Sequence, residues 1–187
     1  MHSVMKIIYL LLIFSITTCR SNQSVNDYII DSTRIGNIKI CNNLSDINNF
    51  YSQVIDTTLS GDEDVSWLGK KIILSDSEWI LVEASWIDST RIWRISTNSS
   101  IFTTVNGFKV GDSIKKMKEN NLKIDYDESF IYFTAQSKQI EFGFNIESNY
   151  AEIFYKKVDE CNHCSNYLDF LNDNASIQEI TISGSCK

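Results

Sequence analysis

Two stretches of this 187-residue chain can be laid over one another without a gap. Ile38-Lys39-Ile40 followed by Leu44 and Ile47 matches Phe108-Lys109-Val110 followed by Ile114 and Met117. Each begins with apolar-Lys-apolar, continues through a polar three-residue turn, and opens an apolar spacing of three that suits a helix. In the first half Asn42 or Asn43 is placed to cap a helix whose buried stripe is Leu44, Ile47, Tyr51 and Val54. In the second half Gly111-Asp112-Ser113 supplies turn and cap, and the stripe runs from Ile114 and Met117 to Asn121 or Leu122. Strand-like segments follow each helix. They are 71–74, 78–86 and 91–95 in the first half, and 130–133, 139–146 and 177–182 in the second. Turns at Ser75-Asp76-Ser77 and Asp88-Ser89-Thr90 suit an antiparallel meander. Ile140, Phe142, Phe144 and Ile146 alternate with Glu141 and Asn145, as in a sheet covered on one side. The expectation is an α+β body of two helix-plus-antiparallel-meander repeats, residues 35–97 and 98–187, with helices laid on sheet. Residues 147–176 form an insertion in the second repeat, in which Tyr167 to Leu171 suits a short helix.

The first residues read as an address. His2 and Lys6 precede the apolar run Ile7-Ile8-Tyr9-Leu10-Leu11-Leu12-Ile13-Phe14, which falls short of the roughly 20 residues a bilayer-spanning helix needs. Residues 1–18 are therefore expected to be a signal peptide. The run ends in Ile16-Thr17-Thr18-Cys19, which resembles the lipobox of bacterial lipoproteins, with Thr18 where that family prefers Gly, Ala or Ser. The resemblance implies cleavage before Cys19, a diacylglyceryl group on its sulfur, and a place in the bacterial cell envelope, at the outer membrane or cell surface. The polar residues from Arg20 to Asp27 lack apolar periodicity, and 19–34 is expected to be a tether.

Asn106-Gly107-Phe108-Lys109-Val110-Gly111-Asp112-Ser113-Ile114 looks like the glycine-turn-helix lead-in of another group. The body, roughly residues 35 to 187, resembles the small exported proteins of the beta-lactamase-inhibitor-protein-like group and the related small outer-membrane assembly lipoproteins. Members of that group bind and assemble without catalytic residues. The resemblance implies a concave sheet that grips a partner protein, and no functional residue is carried over from it.

Export also sets the redox setting. With Cys19 assigned to lipid, Cys41, Cys161, Cys164 and Cys186 form an even set, and two disulfides are the default in an oxidising compartment. Three pairings are open. Cys161-Asn162-His163-Cys164 also admits a redox pair or half a zinc site, although adjacent His163 and Cys164 seldom aim at one metal.

Little else suggests chemistry. The single histidine of the mature chain is His163, which any Ser-His-Asp or Cys-His device would have to use. No Gly-rich phosphate loop occurs, and no cofactor or metal is expected. Asp62-Glu63-Asp64 and Asp125, Asp127 and Glu128 lack the spacing of a calcium loop and read as solvated loops. With 17 basic and 24 acidic residues the formal net charge is −7, which argues against nucleic acid and against electrostatic docking on anionic lipid. Membrane contact is expected through the anchor only. What remains is aromatic. Trp79, Trp86 and Trp93, beside Arg91 and Arg94, are candidate binding residues, because tryptophan is enriched at interface hot spots and on sugar-stacking surfaces. The expected function is a non-catalytic binding or assembly module for an envelope protein, with surface glycan binding through the tryptophans as the alternative.

Overall fold

A computed structural model describes residues 25–61, 65–126, 132–135, 139–144, 148–161 and 166–186. The leader, Cys19, Asp62-Glu63-Asp64, Asp127, Glu128, His163 and Cys164 lie outside the described residues. The fold is α+β and its frame is one eight-stranded antiparallel sheet. The first half supplies β4 (Val54–Ser60), β5 (Ser66–Ile73), β6 (Trp79–Ala84) and β7 (Ile92–Thr97). The second supplies β9 (Ile124–Tyr126), β10 (Tyr132–Ala135), β11 (Ile140–Phe144) and β12 (Ile177–Ser183). The order β4-β5-β6-β7-β12-β11-β10-β9 makes each half an up-and-down meander, and the two meet where β7 pairs with β12. Each meander has four strands where the sequence pattern suggested three. The two unread strands are edges, and edges bury too little to show a clean alternation.

A smaller sheet has the order β3-β2-β1-β8: β1 (Ile29–Asp31), β2 (Arg34–Ile35), β3 (Ile38–Lys39) and β8 (Thr103–Thr104). Its β1–β8 pair is parallel, and β8 comes from beyond residue 97, so this sheet crosses the boundary expected between the repeats. It also shortens the tether expected over 19–34. Val25–Tyr28 forms a 3₁₀ turn and Ile30 is fully buried, because an apolar Ile29-Ile30 pair has a sheet to enter.

The helices are brief. A 3₁₀ turn at Leu44–Asp46 leads into α1 (Ile47–Phe50), and the chain is already extended at Tyr51, with φ −130. Val54 therefore opens β4 and does not extend a helical stripe, since Asn48-Asn49 are weak helix formers and a β-branched run follows. In the second half α2 spans Ile114–Glu119, and Ser113 Oγ accepts from the Lys116 N–H at its start. Asn121, at φ +53, ends that helix, and Leu122 N–H donates back to Met117 O. The insertion carries α3 (Ser148–Asp159), which the sequence reading left out, and the expected short helix as a 3₁₀ turn over Tyr167–Phe170.

The repeat is visible in the backbone. Cys41 N–H donates to Ile92 O, Ile92 N–H to Asn42 O, and Leu44 N–H to Thr90 O. Gly111 N–H donates to Ile177 O, Ile177 N–H to Asp112 O, and Ile114 N–H to Ala175 O. Each set ties the turn before a helix to the start of its half's last strand. Isolated bridges at Asn43–Arg91 and Ser113–Ser176 complete both. Cys41 at φ +69 stands where the second half has Gly111 at φ +90.

One buried cluster joins the layers. Ile72, Ile80, Thr97, Ile180 and Phe142 are consecutive partners across five strands, and Val82, Ile95, Ile182 and Ile140 make the adjoining row. These residues are buried, and the apolar ones share a core with Leu44, Ile47, Phe108, Ile114, Met117, Phe154 and Leu168. Phe108 meets Phe142 edge-on at 6.3 Å. Full burial of each such side chain stabilises by about 1.5–3 kcal/mol.

Candidate functional site

The segment between β6 and β7 is held by its own polar groups. Ser85 N–H donates to Arg91 O and Arg91 N–H to Asp88 O. Ser85 Oγ accepts from the Ile87 and Asp88 N–H groups at 3.2 and 3.4 Å, and Asp88 Oδ1 accepts from Thr90 N–H at 3.0 Å and Thr90 Oγ at 2.6 Å. Those hydroxyl and amide bonds hold the Asp88 carboxyl below the usual carboxylate range. On this fixed loop Trp86 is 72% and Ile87 82% exposed. Two adjacent large apolar side chains are thus presented to solvent by a hydrogen-bonded turn.

Behind the loop lies a cleft of about 720 Å³. Trp86, Ile87, Asp88, Arg91 and Trp93 line it, together with Ser183–Cys186 from the far end of the chain. The Cys41–Cys186 disulfide forms part of its wall, with Cα atoms 5.4 Å apart. Arg91 Nη1 donates to Cys41 O at 3.1 Å, and Gly184 N–H donates to Trp93 O at 2.9 Å, so loop, helix lead-in and C-terminal segment are bonded together. The indole Nε1 of Trp93 is buried and has no hydrogen-bond partner among the described residues. No two tryptophan rings stack among the described residues, where the ring pairs are of phenylalanine and tyrosine.

Of the five candidate binding residues, the structure brings Trp86, Arg91 and Trp93 together and leaves Trp79 and Arg94 elsewhere. Trp79 begins β6 while Trp86 lies just past its end, with Lys71 Nζ 5.6 Å from the Trp79 ring centre. Arg94 belongs to a polar cluster on the sheet. Its Nε lies 3.6 Å from Glu83 Oε1 and one of its terminal nitrogens 3.9 Å from Glu141 Oε2. Glu83, 4% exposed, also accepts from Trp67 Nε1 at 2.8 Å. Burial pushes the Glu83 carboxyl up and Glu179 adds to this, while Arg94 and the indole N–H pull it down. Ser96 Oγ and Thr181 Oγ1 share a hydrogen bond at 2.8 Å in the same strands. Arg94 thus serves the sheet.

Ile87 was missed as a site feature; the Cys41–Cys186 bridge is one of the pairings the sequence left open, and only its place in the cleft wall was not read. Ile87 had a signal, since two apolar residues directly before a turn sequence have no strand face left to occupy. Cys161 is also disulfide-bonded. Among the described residues no three His, Cys, Asp or Glu side chains are gathered where a metal ion could sit, and no helix is long and apolar enough to cross a membrane.

The fold is similar to that of the uncharacterized protein yfeY from Escherichia coli, known from a crystal structure. The TM-score is 0.55 at 12% sequence identity, over 82% of this chain and 97% of that one. At that identity the likeness concerns the fold alone. No protein-family model matches the sequence, and no curated protein does.

Proposed function

We propose that the chain is an exported lipoprotein, anchored through Cys19 in the bacterial envelope, that binds another envelope protein without catalysis. The observation carrying this reading is the hydrogen-bonded loop that holds Trp86 and Ile87 bare at the mouth of the disulfide-walled cleft. A single exposed tryptophan with an aliphatic neighbour, Arg91 beside it and Trp93 behind is the composition of a protein contact, where aromatic and arginine anchors dominate affinity. A sugar-stacking platform uses flat exposed rings, and Trp86 has no stacked tryptophan companion among the described residues. The leader pattern and the Cys19 lipobox support the address.

The test places a photo-crosslinking amino acid at Ile87 in the lipidated protein in its native cells, with Lys115 as the control position. The reading expects one dominant protein adduct from position 87, none from 115, and loss of the adduct in Trp86→Ala. An adduct unchanged by Trp86→Ala refutes the site. Absence of any protein adduct, with polysaccharide retained on the purified protein, favours glycan. Intact mass of the membrane-extracted protein tests the address: a chain beginning at Cys19 with acyl groups supports it, and an unlipidated chain refutes it.

A further inference from the structure

A second apolar surface lies at the opposite end of the sheet, where the chain enters the body. Ser100 N–H donates to Glu78 Oε1 at 3.1 Å, which fixes Ile101 near the start of β6, the end remote from Trp86. Ile73 N–H donates to Gln53 O at 3.0 Å, which sets Phe50, three residues earlier, at that same end. The chain arrives there too. The Tyr28 ring lies 6.2 Å from Phe102, and Val105 N–H donates to Ile30 O at 3.0 Å. A Cβ at Gly36 would meet Asp27 O at 2.7 Å and the Phe102 ring at 3.0 Å, which places Asp27 beside the same ring. Around this point Val105 is 64%, Phe50 58% and Ile101 44% exposed.

Covalent geometry limits how far this end can stand from a lipid on Cys19. Only Arg20–Ser24 separate Cys19 from Val25, and a fully extended chain gains at most about 3.6 Å per residue, so the reach is about 20 Å. We infer that Phe50, Ile101 and Val105 form a membrane-resting face that settles into the headgroup boundary beside the lipid anchor and points the Trp86 loop away from the bilayer. Three side chains would hold a free protein poorly. Next to an anchor they act at high effective concentration, so the contact orients the body without having to recruit it. The charges at this end nearly balance. Asp27, Asp76 and Glu78 are offset by Lys71, which lies over Trp79, and by the exposed Lys109, while Lys116, which reaches Gly107 O, is paired with Asp112. The surface therefore suits a zwitterionic bilayer, and its attraction is apolar.

This inference rests on anchoring through Cys19, so its test separates the two. The lipidated full chain is placed in phosphatidylcholine vesicles, with a fluorescent amino acid replacing Val105 in one sample and Ile87 in another. Flotation with the vesicles, together with the acyl mass, reads the anchor. Quenching by lipids brominated on their acyl chains reads depth. The expected result is complete flotation for both, a blue-shifted probe at 105 quenched severalfold more than the probe at 87, and reduced quenching at 105 in Phe50→Asp or in Ile101→Asp with flotation unchanged. Equal quenching at both positions, or none at 105 in protein that floats, overturns the docking face while sparing the anchor. Protein that neither floats nor carries acyl mass overturns the anchor, and the docking face falls with it.

Discussion

Cys41 combines two features that a matched pair of variants separates. It holds the disulfide to Cys186 across 145 residues, and its backbone sits at φ +69. In the chain-entropy picture a cross-link over that separation restricts the unfolded chain by about 5 kcal/mol, an upper figure because other constraints share the loop. A residue with a Cβ in the left-handed region costs about 1–2 kcal/mol. Glycine avoids that cost and adds about 0.5–1 kcal/mol of its own chain freedom. Against the same Cys186→Ala background, Cys41→Gly should therefore be more stable than Cys41→Ala by about 0.5–1 kcal/mol, although glycine is ordinarily the worse residue. Both variants lack the bridge, so the difference isolates the backbone. At about 2–4 °C per kcal/mol for a chain this long, the melting temperatures should differ by about 1–4 °C. Equilibrium denaturant curves supply the free energies. Gly111→Ala is the reciprocal control. A Cβ there would meet nothing within 4 Å, so any loss of about 1 kcal/mol reflects φ +90 alone. If Cys41→Gly proves less stable than Cys41→Ala, the left-handed assignment at the repeat's turn is wrong, and the equivalence of Cys41 with Gly111 goes with it.

The two helix starts should respond differently to capping mutations. Ser113→Ala removes an accepted hydrogen bond at 3.3 Å and should cost about 1 kcal/mol, whereas Asn43→Ala, whose side chain makes no cap bond, should cost close to nothing in the same melt. At the recognition loop, Trp86→Ala with Ile87→Ser should leave stability within about 0.5 kcal/mol, because both side chains are solvated. Loss of Trp86 alone should weaken partner binding by about 30-fold, the equivalent of about 2 kcal/mol at a hot spot. Binding titration with the cross-linked partner would reveal a smaller, peripheral effect if the loop is not the anchor. Glu83 gives a pH test. Its folded carboxyl titrates above its unfolded one, so its stabilising contribution is present below about pH 4.5 and is lost as pH rises through the folded value. The melting temperature of Glu83→Gln relative to wild type should accordingly improve on going from pH 4 to 8. A difference that is flat or falls over that range refutes the burial-driven shift.

The core was legible because its periodicity follows from burial. Ile140, Phe142 and Phe144 alternate because one sheet face is covered, and Ile114 and Met117 recur because one helix face is. The edge strand that escaped notice in the first half has only partial cover. β4 reads as Val-Ile-Asp-Thr-Thr-Leu-Ser, and none of its seven side chains is fully buried. The tryptophans misled for a related reason. A seven-residue step along an extended strand moves about 23 Å, so Trp79 and Trp86 reach opposite ends of β6. The cleft was only partly within reach of the sequence: Cys41 with Cys186 was among the open pairings, but no local pattern chooses that pairing or brings Ser183–Cys186 to the β6–β7 loop.

The duplication itself explains why the β6–β7 loop holds two large apolar side chains bare while its counterpart in the second half reaches into the core. The loop carrying Trp86 and Ile87 joins the third and fourth strands of the first meander. Its counterpart, between β11 and β12, is the insertion with α3, Cys161 and the 3₁₀ turn over Tyr167–Phe170. That longer connection sends part of its apolar content inward: Phe154, Leu168 and Leu171 are in the core, while Ile153 and Tyr155 stay exposed. The short connection spans only Ser85–Arg91 and has no length to fold Trp86 and Ile87 back onto the body. Its hydroxyl and carboxylate bonds hold them outward instead. Leaving two large apolar side chains in water brings no folding free energy, so they contribute nothing to the stability of this half. Their burial is available only to a second molecule. Shortening the β11–β12 connection would expose the second half in the same way, and lengthening the β6–β7 loop would let Trp86 turn inward and silence the first.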